Sequence, residues 1–156
     1  MEVDSKLFTY IIEYVKDKRG LYPKKSNHYV LAFRKNDLNL ENLLAFSSNF
    51  IPVKGCLGSI HAEHGVIIIL QRNIHTLKKN EPIDIVSIRM SSSGTIGNAR
   101  PCEGCIIRMS KCPIKINNIF YPDDANKFKK EKFRDMRISK KNRFSSGDNR
   151  KTKSNM

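Results

Sequence analysis

No hydrophobic run in this chain is long. The strongest, residues 66–70 (VIIIL), is far too short to span a bilayer, so nothing reads as a membrane helix. The amino-terminal MEVDSKLFTY lacks the basic start and extended apolar core of a secretory signal. Both absences lead to the expectation of a soluble intracellular protein, cytoplasmic with a nuclear location left open, and with no membrane partner. No internal repeat is visible. Acidic residues are scarce, 15 Asp and Glu against 29 Lys and Arg, which leaves a formal net charge of +14. Histidines number four and cysteines four. In a reducing compartment so few cysteines do not make a disulfide framework, and two of them form C-x-x-C, which points to metal or redox chemistry.

What is present suffices for one domain: 156 residues, 39% of them apolar, can bury a real core. The spacing of Leu7, Tyr10, Ile11, Tyr14 and Val15 predicts a helix over 5–20, capped by Asp4 or Ser5 and stopped by Gly20. HYVLAFRK (28–35) and NLLAFSSNF (42–50) read as a strand pair joined by an Asn- and Asp-bearing turn. HAEHGVIIILQRN (61–73) reads as a helix and IDIVSIRM (83–90) as a strand. SSSGTIGNARP (91–101) is a loop, CEGCIIRMS (102–110) a short helix entered through Pro101, and IKINNIFYP (114–122) another strand. Strands alternating with helices in the second half predict a largely parallel sheet covered on both faces. Charge is spread unevenly, since residues 127–156 hold twelve Lys and Arg against three acids. This predicts a domain over 1–126 and a separate basic segment over 127–156, helical for about its first dozen residues and disordered at its end.

Chemistry concentrates in two short stretches. In ARPCEGC, Cys102 and Cys105 fall three apart at the start of a helix, which puts both sulfurs on one face where they can share a metal. A helix N-terminus favours negative charge and so eases thiolate formation. Zinc suits two thiolates and an imidazole, with a fourth position open to water when the site is catalytic, and His61 is the natural third ligand. C-x-x-C alone is equally compatible with structural zinc, redox chemistry or catalytic zinc. A histidine two residues before a glutamate says little by itself. Their joint occurrence in this order is far more specific.

With H-A-E at 61–63 followed by P-C-x-x-C at 101–105, the sequence resembles the cytidine and deoxycytidylate deaminase superfamily of zinc-dependent nucleobase deaminases. The match is by residue type at His61, Glu63, Pro101, Cys102 and Cys105, and the helix and strand order over about residues 5–122 agrees with it. The resemblance implies an α/β fold, a cytidine-deaminase-like three-layer sandwich with a mixed central sheet of about five strands and helices on both faces. It implies that His61, Cys102 and Cys105 hold Zn2+. It further implies that Glu63, which is not a ligand, carries a proton from the attacking water to the ring nitrogen and leaving ammonia. Asn49 takes the place of the asparagine that in many members hydrogen-bonds the substrate sugar, with Asn36 as a rival.

Other readings stay open at this point. His61 or His64 with Cys102, Cys105 and one of Cys56 and Cys112 would make a closed structural zinc site. The function expected is a zinc-dependent hydrolase that deaminates a nucleobase, cytosine ahead of adenine, in a nucleotide or a nucleic acid, releasing ammonia. The alternative is a non-catalytic, zinc-stabilised nucleic-acid-binding protein on the same scaffold. Arg89, Arg100, Arg108 and Lys111 around the cysteines, together with the basic segment, suit a polyanion such as RNA or single-stranded DNA. A homo-oligomer is compatible with all of this.

Overall fold

The computed structural model describes residues 6–19, 27–49 and 61–139. Its elements are α1 (Lys6–Arg19), β1 (Asn27–Arg34), β2 (Ala45–Ser48), α2 (Ala62–Arg72), β3 (Ile83–Met90), β4 (Ile96–Gly97), α3 (Glu103–Lys111), β5 (Ile116–Pro122), β6 (Phe128–Lys132) and α4 (Phe133–Arg137). The expected caps of the first helix at Asp4, Ser5 and Gly20 lie outside the described residues.

The sheet runs β2-β1-β3-β5-β6, with β4 paired to the end of β3. Period-two alternation decides its two faces. Tyr29, Leu31, Phe33, Val86, Ile88, Met90, Phe120 and Phe128 pack under Phe8, Ile11 and Val15 of α1. Val30, Ala32, Ile83, Ile85, Ile119 and Tyr121 pack under α2, α3 and α4 on the other face. The architecture is therefore an α/β three-layer sandwich around a mixed sheet.

Several expectations change here. Of the pairings, only β3–β5 is parallel, whereas β1–β2, β1–β3, β3–β4 and β5–β6 are antiparallel. The reason is connectivity: α3 is the crossover between β3 and β5, while β5 and β6 meet through a tight turn. In that turn the Asp123 carboxylate accepts from the Ala125 and Lys127 backbone N–H groups, and Asn126 takes φ of 62°. In α1 the buried stripe is Phe8, Ile11 and Val15, and Tyr10 is 76% exposed.

The largest correction concerns residues 127–137. They were expected to form a basic helix outside the domain, yet they supply β6 and α4, and their apolar residues belong to the core. Phe128 is 2% exposed and stacks on Phe8 with ring centroids 4.1 Å apart, while Phe133 and Met136 close the opposite face. The folded body thus extends past residue 126. A lysine at nearly every position masked the alternation, because Lys129, Lys130 and Lys132 keep their heads at the surface while the aromatic residue goes inward. Residues 140–156 lie outside the described residues. Among those described, no helix is long and apolar enough to cross a membrane.

At one end of the sheet buried Asp84 ties the strands: Oδ2 accepts from the Asn36 backbone N–H, and Oδ1 accepts from Asn117 Nδ2 and the Asn118 N–H. The opposite end, where β3 and β5 reach their carboxyl termini and β1 begins, is the end at which α2 and α3 start. Crevices outside the carboxyl ends of parallel strands are where α/β sheets present their sites.

Candidate metal centre

Two helix starts converge. His61 is the N-cap residue of α2 and Cys102 that of α3, and neither makes a side-chain cap hydrogen bond. Backbone carbonyls do the local work instead, His61 accepting from Gly65 and Cys102 from Ile106. His61 Nδ1 lies 3.0 Å from Cys105 Sγ and 3.5 Å from Cys102 Sγ. All three donor atoms fall within 4.8 Å of one another.

This donor set fits zinc. A tetrahedral ion held by nitrogen and sulfur at ordinary bond lengths separates the two atoms by about 3.5 Å, close to the spacings observed. The contact with Cys105 holds the Cys102 thiol down at about 5. The same contact and burial push Cys105 up. Cys102 stands at the N-terminus of α3, whose positive end favours a thiolate there.

Glu63 sits on the first turn of α2 and is 2% exposed. Cys105 Sγ donates to its Oε2 at 3.0 Å. Oε1 lies 3.1 Å from His28 Nε2, yet it is buried without a well-aligned donor. A carboxylate buried against a metal-ligand cluster with one oxygen unsatisfied is costly unless something is to bind there.

His28 is a residue that the sequence reading missed. It shares its face of β1 with Val30 and Ala32, and its ring hydrogen-bonds Ser87 Oγ, which in turn donates to the Ala99 carbonyl at 2.7 Å. Burial pushes the imidazole below its ordinary value, Glu63 opposing this and Arg89 and His61 adding to it. The available signal was a lone polar residue in the inward register of an apolar strand.

The remaining candidates separate cleanly. Asn49 is at the site end of the sheet: its Oδ1 accepts from the His28 backbone N–H at 2.9 Å, and its own N–H donates to the His28 carbonyl at 3.1 Å. Asn36, by contrast, is held by Asp84 at the far end. Cys112 ends α3 and donates to the Met109 carbonyl at 3.0 Å, away from the cluster. Cys56 lies outside the described residues. Arg100 pairs with Glu131 of β6 at 3.2 Å, and Tyr121 donates to the same carboxylate at 2.8 Å, which locks the loop before Cys102 to the edge strand. Arg89 is exposed in register with His28.

No protein-family model matches the chain, and no curated protein matches it. Solved structures do. The chain is similar in fold to a cytidine deaminase. That crystal structure, of the enzyme from Burkholderia pseudomallei, covers 81% of this chain and 93% of its own, at 15% identity and a TM-score of 0.48.

Proposed function

We propose that the chain is a zinc-dependent hydrolase of the cytidine deaminase type, which removes ammonia from a nucleobase, cytosine ahead of adenine, carried in a nucleotide or a nucleic acid. One observation carries the reading: a His61, Cys102 and Cys105 donor set with the buried carboxylate of Glu63 against it. Zinc bound by these three residues would supply an activated water at neutral pH. Glu63 then takes a proton from the attacking water at Oε1 and delivers it to the ring nitrogen and the leaving amine. Proton delivery needs a carboxylate that is close and unspent, and the unsatisfied oxygen meets that need. Asn49, adjoining His28, holds the sugar. A purely structural zinc site has no use for a buried carboxylate here, and Cys112, the candidate fourth ligand among the described residues, is engaged elsewhere.

Substrate size follows from charge. Lys127, Lys129, Lys130, Lys132, Arg134 and Arg137 line β6 and α4, and residues 140–156 add six further Lys and Arg against one acid. Positive charge of this density suits a phosphodiester backbone. The test is ammonia release from cytidine, cytidine monophosphate, deoxycytidine monophosphate, adenosine, single-stranded DNA and RNA by the zinc-loaded chain. Turnover of at least one cytosine substrate is expected; a zinc-loaded, folded chain inert on all of them would overturn the proposal. Truncation after Ser139 separates the substrate classes. It should cost activity on long nucleic acids, with a shallower salt dependence, while leaving activity on mononucleotides unchanged.

A further inference from the structure

We propose that His28 is a positioning residue for Glu63: its imidazole, locked by Ser87 against the Ala99 carbonyl, presents an Nε2–H edge that orients the carboxylate while leaving Oε1 able to take a proton. This rests on the reading of Glu63 as the proton carrier.

The tautomer follows from counting protons. A carbonyl only accepts, so in the 2.7 Å contact between Ser87 Oγ and the Ala99 oxygen the serine is the donor. A hydroxyl has one proton, and here it is committed. Ser87 Oγ is left to accept from its other partner, His28 Nε2, which must therefore carry a hydrogen. That hydrogen is aimed at Ser87, and Glu63 Oε1 lies beside it at 3.1 Å without a linear bond.

The ring edge thus lies against Oε1 while that oxygen keeps no well-formed hydrogen bond within the protein. The lock also reaches the metal-ligand loop, since the Ala99 N–H donates to the Pro122 carbonyl at 3.1 Å and Ala99 lies three residues before Cys102. One backbone segment thereby delivers the cysteines and sets the histidine tautomer that faces the acid–base group.

The test uses the full-length, zinc-loaded chain with 15N-labelled histidine and long-range 1H–15N correlation spectra. His28 should show a protonated Nε2 and an unprotonated Nδ1, and Glu63→Gln should move its Nε2 resonance. An Nδ1–H form, or a His28 signal indifferent to Glu63→Gln, would overturn the proposal. On the best cytosine substrate of the panel above, His28→Leu should lower kcat by about 10- to 100-fold at nearly constant KM, the scale of losing one polar contact to a charged group. His28→Gln, whose amide restores a donor, should recover most of that loss, and both variants should keep their zinc. Unchanged kcat in zinc-loaded His28→Leu refutes the role. A wild-type chain inert on every substrate, with the expected spectrum, would instead sink the deaminase reading and leave the His28–Glu63 arrangement standing.

Discussion

Phe128→Ala tests whether the basic carboxyl-terminal segment belongs to the folded body. The ring is 2% exposed and lies parallel to Phe8, with an interplanar angle of 2°. Removing a buried phenylalanine costs about 3–5 kcal/mol, and the lost ring pair lies within or slightly above that range. A domain of this size has on the order of 5–15 kcal/mol in total, so this single change should remove a large share of it. Deleting everything after Asn126 removes Phe128, Phe133 and Met136 together, a loss of roughly 8–15 kcal/mol, which matches the whole stability and should leave the chain unfolded. Truncation after Ser139 keeps all three and should fold. Urea denaturation followed by circular dichroism provides the readout, with the midpoint shift converted through the slope of the transition. A Phe128→Ala loss below about 1 kcal/mol, or a cooperative fold in the chain cut after Asn126, would refute the inclusion of β6 and α4 in the core.

Further consequences follow for the site. Cys102→Ser, Cys105→Ser and His61→Ala should each lose bound zinc by metal analysis, while Cys112→Ser should retain about one ion per chain; zinc loss in Cys112→Ser would favour a closed structural centre. Glu63→Gln should keep the metal and the fold but lower turnover by about 10²- to 10⁴-fold, as read by ammonia release, because it removes a proton carrier and no ligand. His28 resists protonation in the folded state, so the unfolded chain binds more protons as pH drops below about 6.5, and stability should fall there by up to about 1.4 kcal/mol per pH unit. That contribution is complete above the unfolded value, and His28→Gln should flatten the acid limb measured by thermal or urea unfolding at pH 5 to 8.

How far the sequence could be read depended on whether a signal was local. His61, Cys102 and Cys105 were legible because ligand chemistry restricts residue type and because a three-residue spacing on a helix fixes a common face. The strands IDIVSIRM and INNIFYP were legible because their burial is continuous. Sheet direction was not local, since it depended on which connections cross over and which turn back, and one parallel pair among antiparallel ones carries no distinct pattern of its own. Residues 127–137 look like a solvated basic stretch until Phe128 meets Phe8, a partner almost the whole chain away, and no window of sequence contains that contact.

The site divides the same way. Sequence alone determined which residues could ligate a metal and which carboxylate stood near them. Tertiary structure decided that two helix N-termini meet, that Glu63 is buried with an unsatisfied oxygen, and that Cys112 is elsewhere. It also decided the placing of His28, which in sequence is one polar residue at the edge of an apolar run. Only the pairing of β1 with β3 sets it beside Ser87, and only the docking of α2 on that face brings Glu63 to its ring. Residue type carries chemistry along the chain, whereas proximity between distant residues exists only once the core has closed around them.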